Sequence, residues 1–103
     1  MPKLSFTVPH SHDPAIAVEM VQPALEKTIK DFEGRDAEIN WSGNEADYKF
    51  KSLAFTITGH MAVSDNEVQI DIDLPFAALM FKDKVGKAIT KNLGRALQSD
   101  PSS

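Results

Sequence analysis

The chain has 103 residues, no cysteine and a formal net charge of −4 at pH 7. Without cysteine it forms no disulfide or thiolate metal site, and its negative charge argues against a nucleic-acid partner. No apolar run approaches the roughly 20 residues that span a bilayer, and the first residues lack the apolar core of a signal peptide. We therefore expect a cytoplasmic protein without a transmembrane segment.

The first third of the sequence predicts a strand followed by an amphipathic helix. Apolar and polar residues alternate over 4–8, which indicates a half-buried strand. Asp13 is suited to cap a helix through its side chain, and Pro14 suits the first helical position. Apolar residues then recur every three or four positions, so we expect a helix ending near Glu33, with Gly34 as its left-handed stop.

The middle of the chain predicts four strands in an antiparallel meander. Alternation recurs over 37–42, 48–51, 55–63 and 68–74, and short polar turns separate these segments. The last strand alternates most cleanly, so one face of the sheet should meet water. The inward positions are Val68, Ile70, Ile72 and Leu74, with Ile57 and Met61; the outward ones are Gln69, Asp71 and Asp73.

A second helix is predicted from Phe76 to about Gln98. The element order is then β-α-β-β-β-β-α, an α+β fold with a sheet of about five strands packed against an N-terminal and a long C-terminal helix. This order is compatible with a reduced helix-grip-like fold. We expect one domain over 1–98 and a disordered tail over 99–103.

The histidines are the first candidates for chemistry. His10, His12 and Asp13 resemble the beginning of a metal site, but only His60 remains as a further histidine, and zinc needs three or four ligands. We favour a helix cap with exposed loop histidines, and we expect no metal site.

Two carboxylates on one strand are the second candidate. Asp71 and Asp73 share a strand face, and paired carboxylates serve acid–base catalysis or cation binding. No calcium-binding loop pattern surrounds them, so we favour a solvated sheet face. The sequence contains no convincing catalytic group and no cofactor motif, and we expect a non-enzyme.

The last helix carries the most informative surface pattern. Basic residues recur there at spacings of three and four, which places them on one side of a helix. An apolar run precedes them, and together these features suit an apolar or membrane-like surface, although an ordinary solvated helix face explains the charges too. The surface-binding candidates are Phe76, Met80, Phe81, Lys82, Lys84, Lys87, Lys91 and Arg95.

Short motifs spread over nearly the whole chain form a recognisable set: His10-Ser11, Trp41-Ser42-Gly43, Phe50, Ile57-Thr58-Gly59, Val68-Gln69-Ile70 and Leu74-Pro75-Phe76-Ala77-Ala78-Leu79. This set resembles the polyhydroxyalkanoic acid system family, which is linked to polyhydroxyalkanoate granule regions of bacterial genomes. The chain departs from it at His12-Asp13, where Leu-Gly is expected. The resemblance implies a granule-associated accessory role and no established catalytic residue.

Three hypotheses follow. The first is a non-enzymatic accessory protein on polyhydroxyalkanoate granules or a similar apolar surface, bound through the last helix. The second is a carrier of a hydrophobic acyl ligand in a groove between sheet and helix, lined by Trp41, Phe50, Phe55 and Met61. The third, which we rank last, is an enzyme using the histidines or Asp71 and Asp73. The oligomeric state stays open, a homodimer included.

Overall fold

The sheet and its two helices are seen in a computed structural model that describes residues 3–98. The tail predicted over 99–103 lies outside these residues. The elements are β1 (Lys3–Pro9), α1 (Pro14–Asp31), β2 (Arg35–Ser42), β3 (Glu45–Ser52), β4 (Phe55–Val63), β5 (Glu67–Asp73), a 3-10 helix (Phe76–Phe81) and α2 (Lys82–Gln98).

The five strands form one antiparallel sheet in the order β1-β5-β4-β3-β2. The predicted α+β class and element order are confirmed. The four later strands pair with their neighbours in sequence, as short connections require. The first strand closes the sheet beside the last, so β1 and β2 are its edges.

The core lies between one face of the sheet and the two helices. The inward positions of β5 are almost fully buried, together with Met61 and Ile57, while Gln69 is exposed. Asp71 and Asp73 lie on the opposite face, as the alternation predicts. The Asp71 side chain is nevertheless only 15% exposed. Ser5 and Lys3 of the neighbouring strand cover it, and Ser5 Oγ donates a 2.7 Å hydrogen bond to its carboxylate.

A buried polar contact joins the two helices. The Asn92 Nδ2 of α2 donates to Thr28 Oγ1 of α1 at 2.9 Å and to Asp31 Oδ2 at 3.1 Å. The Thr28 hydroxyl in turn donates to the carbonyl of Ala24 at 2.8 Å. Buried polar atoms need such partners, and this set fixes how α2 is placed against α1.

The start of α1 differs from its predicted cap. Pro14 does begin the helix, but the Asp13 carboxylate makes no capping hydrogen bond. The Asp13 carbonyl instead accepts from the amide of Ala17 at 2.9 Å. The loop before the helix is held by histidines, since the His12 amide donates to His10 Nδ1 at 3.0 Å.

The end of α1 also differs. The helix stops at Asp31, and Glu33, not Gly34, adopts the left-handed conformation, with φ of 56°. The amide of Gly34 donates to the Ile29 carbonyl and that of Glu33 to the Lys30 carbonyl, both at 2.9 Å, which is a Schellman ending. Gly34 is needed for space, because a Cβ there would lie 2.4 Å from Ile29 Cγ2.

The predicted last helix is divided. Residues 76–81 form a 3-10 helix, and the α-helix begins only at Lys82. Pro75 precedes the 3-10 helix, and the amide of Ala78 donates to the Pro75 carbonyl at 2.9 Å. Phe76 and Met80 of this 3-10 helix both lie on the surface, and Ala78 between them is buried.

Tyr48 ties three strands together within the core. A Cβ at Gly59 on β4 would lie 2.3 Å from the Tyr48 ring, so only glycine lets the ring pass. Its hydroxyl then donates to the Asp71 carbonyl on β5 at 3.0 Å. Burial, with the nearby carboxylates of Asp71 and Asp73, raises the pKa of Tyr48.

Candidate surface-binding site

Exposed apolar side chains lie in the 3-10 helix and in the β3–β4 hairpin beside it. Phe76 is 76% exposed and Met80 81%, both in the 3-10 helix, and Leu53 is 59% exposed in the β3–β4 hairpin. Leu53 and Phe81 line the same surface pocket, so the hairpin and the 3-10 helix are neighbours. We call Leu53, Phe76, Met80 and Phe81 the apolar tip.

The apolar tip continues into cationic residues of α2. Lys82 follows directly after Phe81, and Lys84 comes two residues later; both are exposed, as is Asp83 between them. Spacings of three, four and four place the predicted stripe on one side of α2, opposite its buried residues. All of its members are exposed: Lys84, Lys87, Lys91 and Arg95. Like the three candidates of the 3-10 helix, these residues lie where a surface can reach them.

A pocket of about 380 Å³ opens between the tip and the end of α1. We call it the mouth. Phe55, a predicted groove residue, lines it, as do Phe32 and Phe81, with Lys84 at the side. Its aromatic side chains and the adjacent lysine give an acyl chain an open approach to the sheet, although Asp31 and Glu33 also line the pocket.

The four predicted groove residues do not surround one cavity. Met61 and Phe50 are buried in the core, where the space between the sheet and both helices is only about 20 Å³. That is about the volume needed for one water molecule. Trp41 lies elsewhere on edge strand β2, half-buried, and its Nε1 has no hydrogen-bond partner among the described residues.

His10 and His12 are structural, and the prediction of exposed loop histidines is wrong for His10, which is 9% exposed. His10 Nε2 contacts the Ser64 carbonyl at 2.8 Å and His12 Nε2 the Leu97 carbonyl at 2.5 Å. Since His10 Nδ1 accepts from an amide, its Nε2 must carry the proton. The pair ties the β1–α1 loop to the β4–β5 turn and the end of α2.

His60 lies on the outer sheet face, away from the other two histidines. Its Nδ1 bonds Asp47 at 2.7 Å and its Nε2 bonds Glu45 at 2.9 Å. These carboxylates raise the pKa of the imidazole. Within residues 3–98, no three histidine or carboxylate side chains are arranged to hold a metal ion.

Two features of this end of the molecule were missed by sequence reasoning. Leu53 adopts a left-handed conformation, with φ of 57°, and the Arg35 guanidinium donates to its carbonyl at 2.8 Å. A lone leucine between a serine and an alanine carries no pattern. The mouth was missed because its walls come from segments far apart in sequence.

Comparison with known proteins gives one family. The family described as "putative polyhydroxyalkanoic acid system protein" matches residues 4–97. No curated protein matches. Similar solved structures include TTHA0849 from Thermus thermophilus, with 12% identity over 94% of this chain and 92% of that chain and a TM-score of 0.43. A second similar structure is that of Ara h 8.0201, with 11% identity over 96% of this chain and 99% of that chain and a TM-score of 0.49.

The family match and the fold agree with what the sequence pattern predicts. The matched residues run from β1 to the last turn of α2. Among the described helices, none has the length and apolar content needed to cross a bilayer. The match spans more than nine-tenths of the sequence, and the chain therefore belongs to the polyhydroxyalkanoic acid system protein family.

Proposed function

We propose that this chain is a non-enzymatic accessory protein that docks on polyhydroxyalkanoate granules, or on a similar apolar surface, through the apolar tip. The observation that carries the proposal is the grouping of exposed side chains. Of the five exposed large hydrophobic residues in the described chain, all but Ile16 belong to the tip. Grouped apolar exposure marks an interaction site, whereas scattered exposure does not.

The energies involved suit reversible docking. Burying a fully exposed large apolar side chain contributes about 1.5–3 kcal/mol. A lysine beside an anionic surface contributes about 1 kcal/mol, so Lys82 and Lys84 add to the attraction of Phe76 and Met80. The net charge of −4 matters less than these nearby cations, because salt screens charges beyond about 8–10 Å.

Docking of this kind requires no catalytic group. His10 and His12 are engaged by backbone carbonyls, and His60 is paired with two carboxylates. The tip itself contains only apolar side chains. The proposed role is therefore surface binding and not a reaction.

The test is co-sedimentation with phospholipid-coated polyester granules. Phe76→Ser with Met80→Ser should reduce the bound fraction at least tenfold, since both side chains are mostly exposed and contribute little to the core. Ile16→Ser, at a 38% exposed position outside the tip, is the matched control and should bind normally. Circular dichroism checks the fold, and equal binding of the folded double variant would refute the proposal.

The mouth favours a second candidate, the binding of a hydrophobic acyl ligand. Its volume of about 380 Å³ is at the low end for ligand pockets. Ile57, Leu74 and Val85 line both the mouth and the core space behind it. A chain entering there would pass Phe55 and Phe81 and would leave its carboxylate near Lys84.

A further inference from the structure

The outer edge of β1 has no partner strand among residues 3–98. The amide of His10 donates to Asn66 on the β5 side, and in an antiparallel pair the inward-bonded residues alternate. The backbone N–H and C=O groups of Ser5 and Thr7 therefore point outward. Pro9 agrees with this alternation, because proline lacks the N–H that would face the open edge.

A groove of about 640 Å³ runs between this edge and α2. Phe6 forms its wall on the strand side and packs on Gly86, where a Cβ would lie 2.8 Å from the ring. Three lysines and one aspartate line the helix side. We call this the edge groove, formed by Phe6, Lys82, Asp83, Gly86, Lys87, Thr90 and Lys91.

We propose that the edge groove binds an extended acidic peptide segment of a partner protein, which adds to the sheet as a strand beside β1. Backbone hydrogen bonds to Ser5 and Thr7 supply the pairing, as in strand addition generally. Side chains of an added strand alternate between faces. Every second side chain would thus lie over α2, where carboxylates meet Lys87 and Lys91.

Charge distinguishes this partner from a second copy of the chain. Two copies paired antiparallel through β1 would share one continuous sheet, with both α2 helices on the same face. The lysines of one groove would then oppose those of the other, and like charges across an interface disfavour association. An acidic segment places opposite charges there instead.

This binding mode goes beyond granule docking and is centred on a different part of the molecule, and Lys82 is the residue that the two sites share. The apolar tip lies around the 3-10 helix and the β3–β4 hairpin, whereas the edge groove lies along β1. An acidic partner held in the groove would leave Phe76 and Met80 on the surface. The two proposals can therefore fail separately.

The probe is a fluorescent octapeptide of alternating glutamate and threonine with blocked ends. We expect saturable binding by the intact chain, with the largest NMR shifts at the amides of Ser5 and Thr7. The same peptide with N-methylated amides, which cannot form strand hydrogen bonds, should bind at least tenfold more weakly. So should an octapeptide of alternating lysine and threonine.

Two variants test the two halves of the groove. Thr7→Pro removes an outward N–H without breaking a ladder bond, so it should fold and bind the acidic probe at least tenfold more weakly. Lys87→Glu with Lys91→Glu should have the same effect. The matched control, Lys49→Glu with Lys51→Glu on the outer face of β3, carries the same charge change and should bind normally.

Several results would overturn the proposal. These are no saturable binding of the acidic probe, equal binding of the N-methylated or lysine peptides, and normal binding by folded Thr7→Pro. A dimer that sedimentation detects in the wild type and that Thr7→Pro abolishes would place a second copy at the edge. Granule co-sedimentation of Thr7→Pro should be unchanged, which separates this test from that of the apolar tip.

Discussion

His60 is held by two carboxylates on the exposed face of the sheet. Asp47 and Glu45 hydrogen-bond its two ring nitrogens, and these bonds raise the pKa of the imidazole above its ordinary value of about 6.5. His60 is 37% exposed and its partners more so. The free energy involved is therefore a fraction of about 1 kcal/mol, as for other surface ion pairs.

The raised pKa predicts a pH dependence with a definite sign. A pKa that is higher in the folded state means that the stabilisation is fully present below about pH 6.5 and is lost as pH rises through the folded value. Replacing His60 by Gln should therefore cost more stability at pH 5.5 than at pH 9. An NMR titration should place the wild-type pKa above 6.5, and Asp47→Asn should lower it. A wild-type value at or below 6.5 would contradict the assignment.

At the residue scale, the sequence predicted which side chains are exposed better than it predicted the hydrogen-bond partners of the histidines. Phe76 and Met80 were identified because the apolar run is longer than one buried stripe needs, and the lysines because they recur at helical spacing. The pairing of His60 was not, because Asp47 and Glu45 are brought to it by strand register. Nor was the burial of His10, whose partner Ser64 lies 54 positions away.

The end of α1 shows how an element is stopped by two unlike residues. Glu33 takes the left-handed position, which costs a residue with a Cβ about 1–2 kcal/mol. Gly34 follows, and its hydrogen atom sits where any side chain would meet both Ile29 Cγ2 and the Ile29 carbonyl, at 2.4 and 2.7 Å. Position 34 thus requires glycine because Ile29 lies too close for a side chain. The left-handed conformation of Glu33 is set by the two Schellman hydrogen bonds.

Substitutions at these adjacent positions should have opposite effects. Glu33→Gly should stabilise the protein by about 0.5–1 kcal/mol, since relief of strain exceeds the added chain entropy. Gly34→Ala should destabilise it by about 1–3 kcal/mol, because the backbone carbonyl cannot move away. Urea denaturation measures both. Gly94→Ala, in α2 with open space around it, is the control and should be mildly stabilising; a neutral Gly34→Ala would contradict the account.

At the element scale, strands were predicted better than helix ends. Alternation over β4 and β5 has a direct physical cause, because a one-residue shift would bury the polar set. Helix ends depend on local geometry that several residues satisfy equally well. The 3-10 helix at 76–81 was predicted as α-helix because its apolar residues fit either repeat over so short a span.

At the scale of the whole molecule, three separate surfaces surround a single core. The sheet and both helices close on a space of about 20 Å³, so the interior is filled by side chains. The apolar tip, the edge groove and the charged outer face lie around it. The hydrogen bond from Asn92 to Thr28 joins α2 to α1. His12 joins the β1–α1 loop to the end of α2, and His10 joins it to the β4–β5 turn. These contacts hold the three surfaces in place relative to one another.

The closed core predicts that an acyl ligand does not enter the wild-type protein. Titration with decanoate should leave the NMR signals of the Met61 and Leu93 methyl groups unshifted and should not raise Tm, since a ligand that binds only the folded state stabilises it. Shifts confined to Phe76 and Met80, which do not line the mouth, would mean contact at the tip alone. Saturable binding that raises Tm, shifts Ile57 and Leu74, and weakens in Phe55→Ala would instead establish the mouth as a ligand site. In that case the core must open when the chain enters, and the carrier function would replace granule docking as the better account.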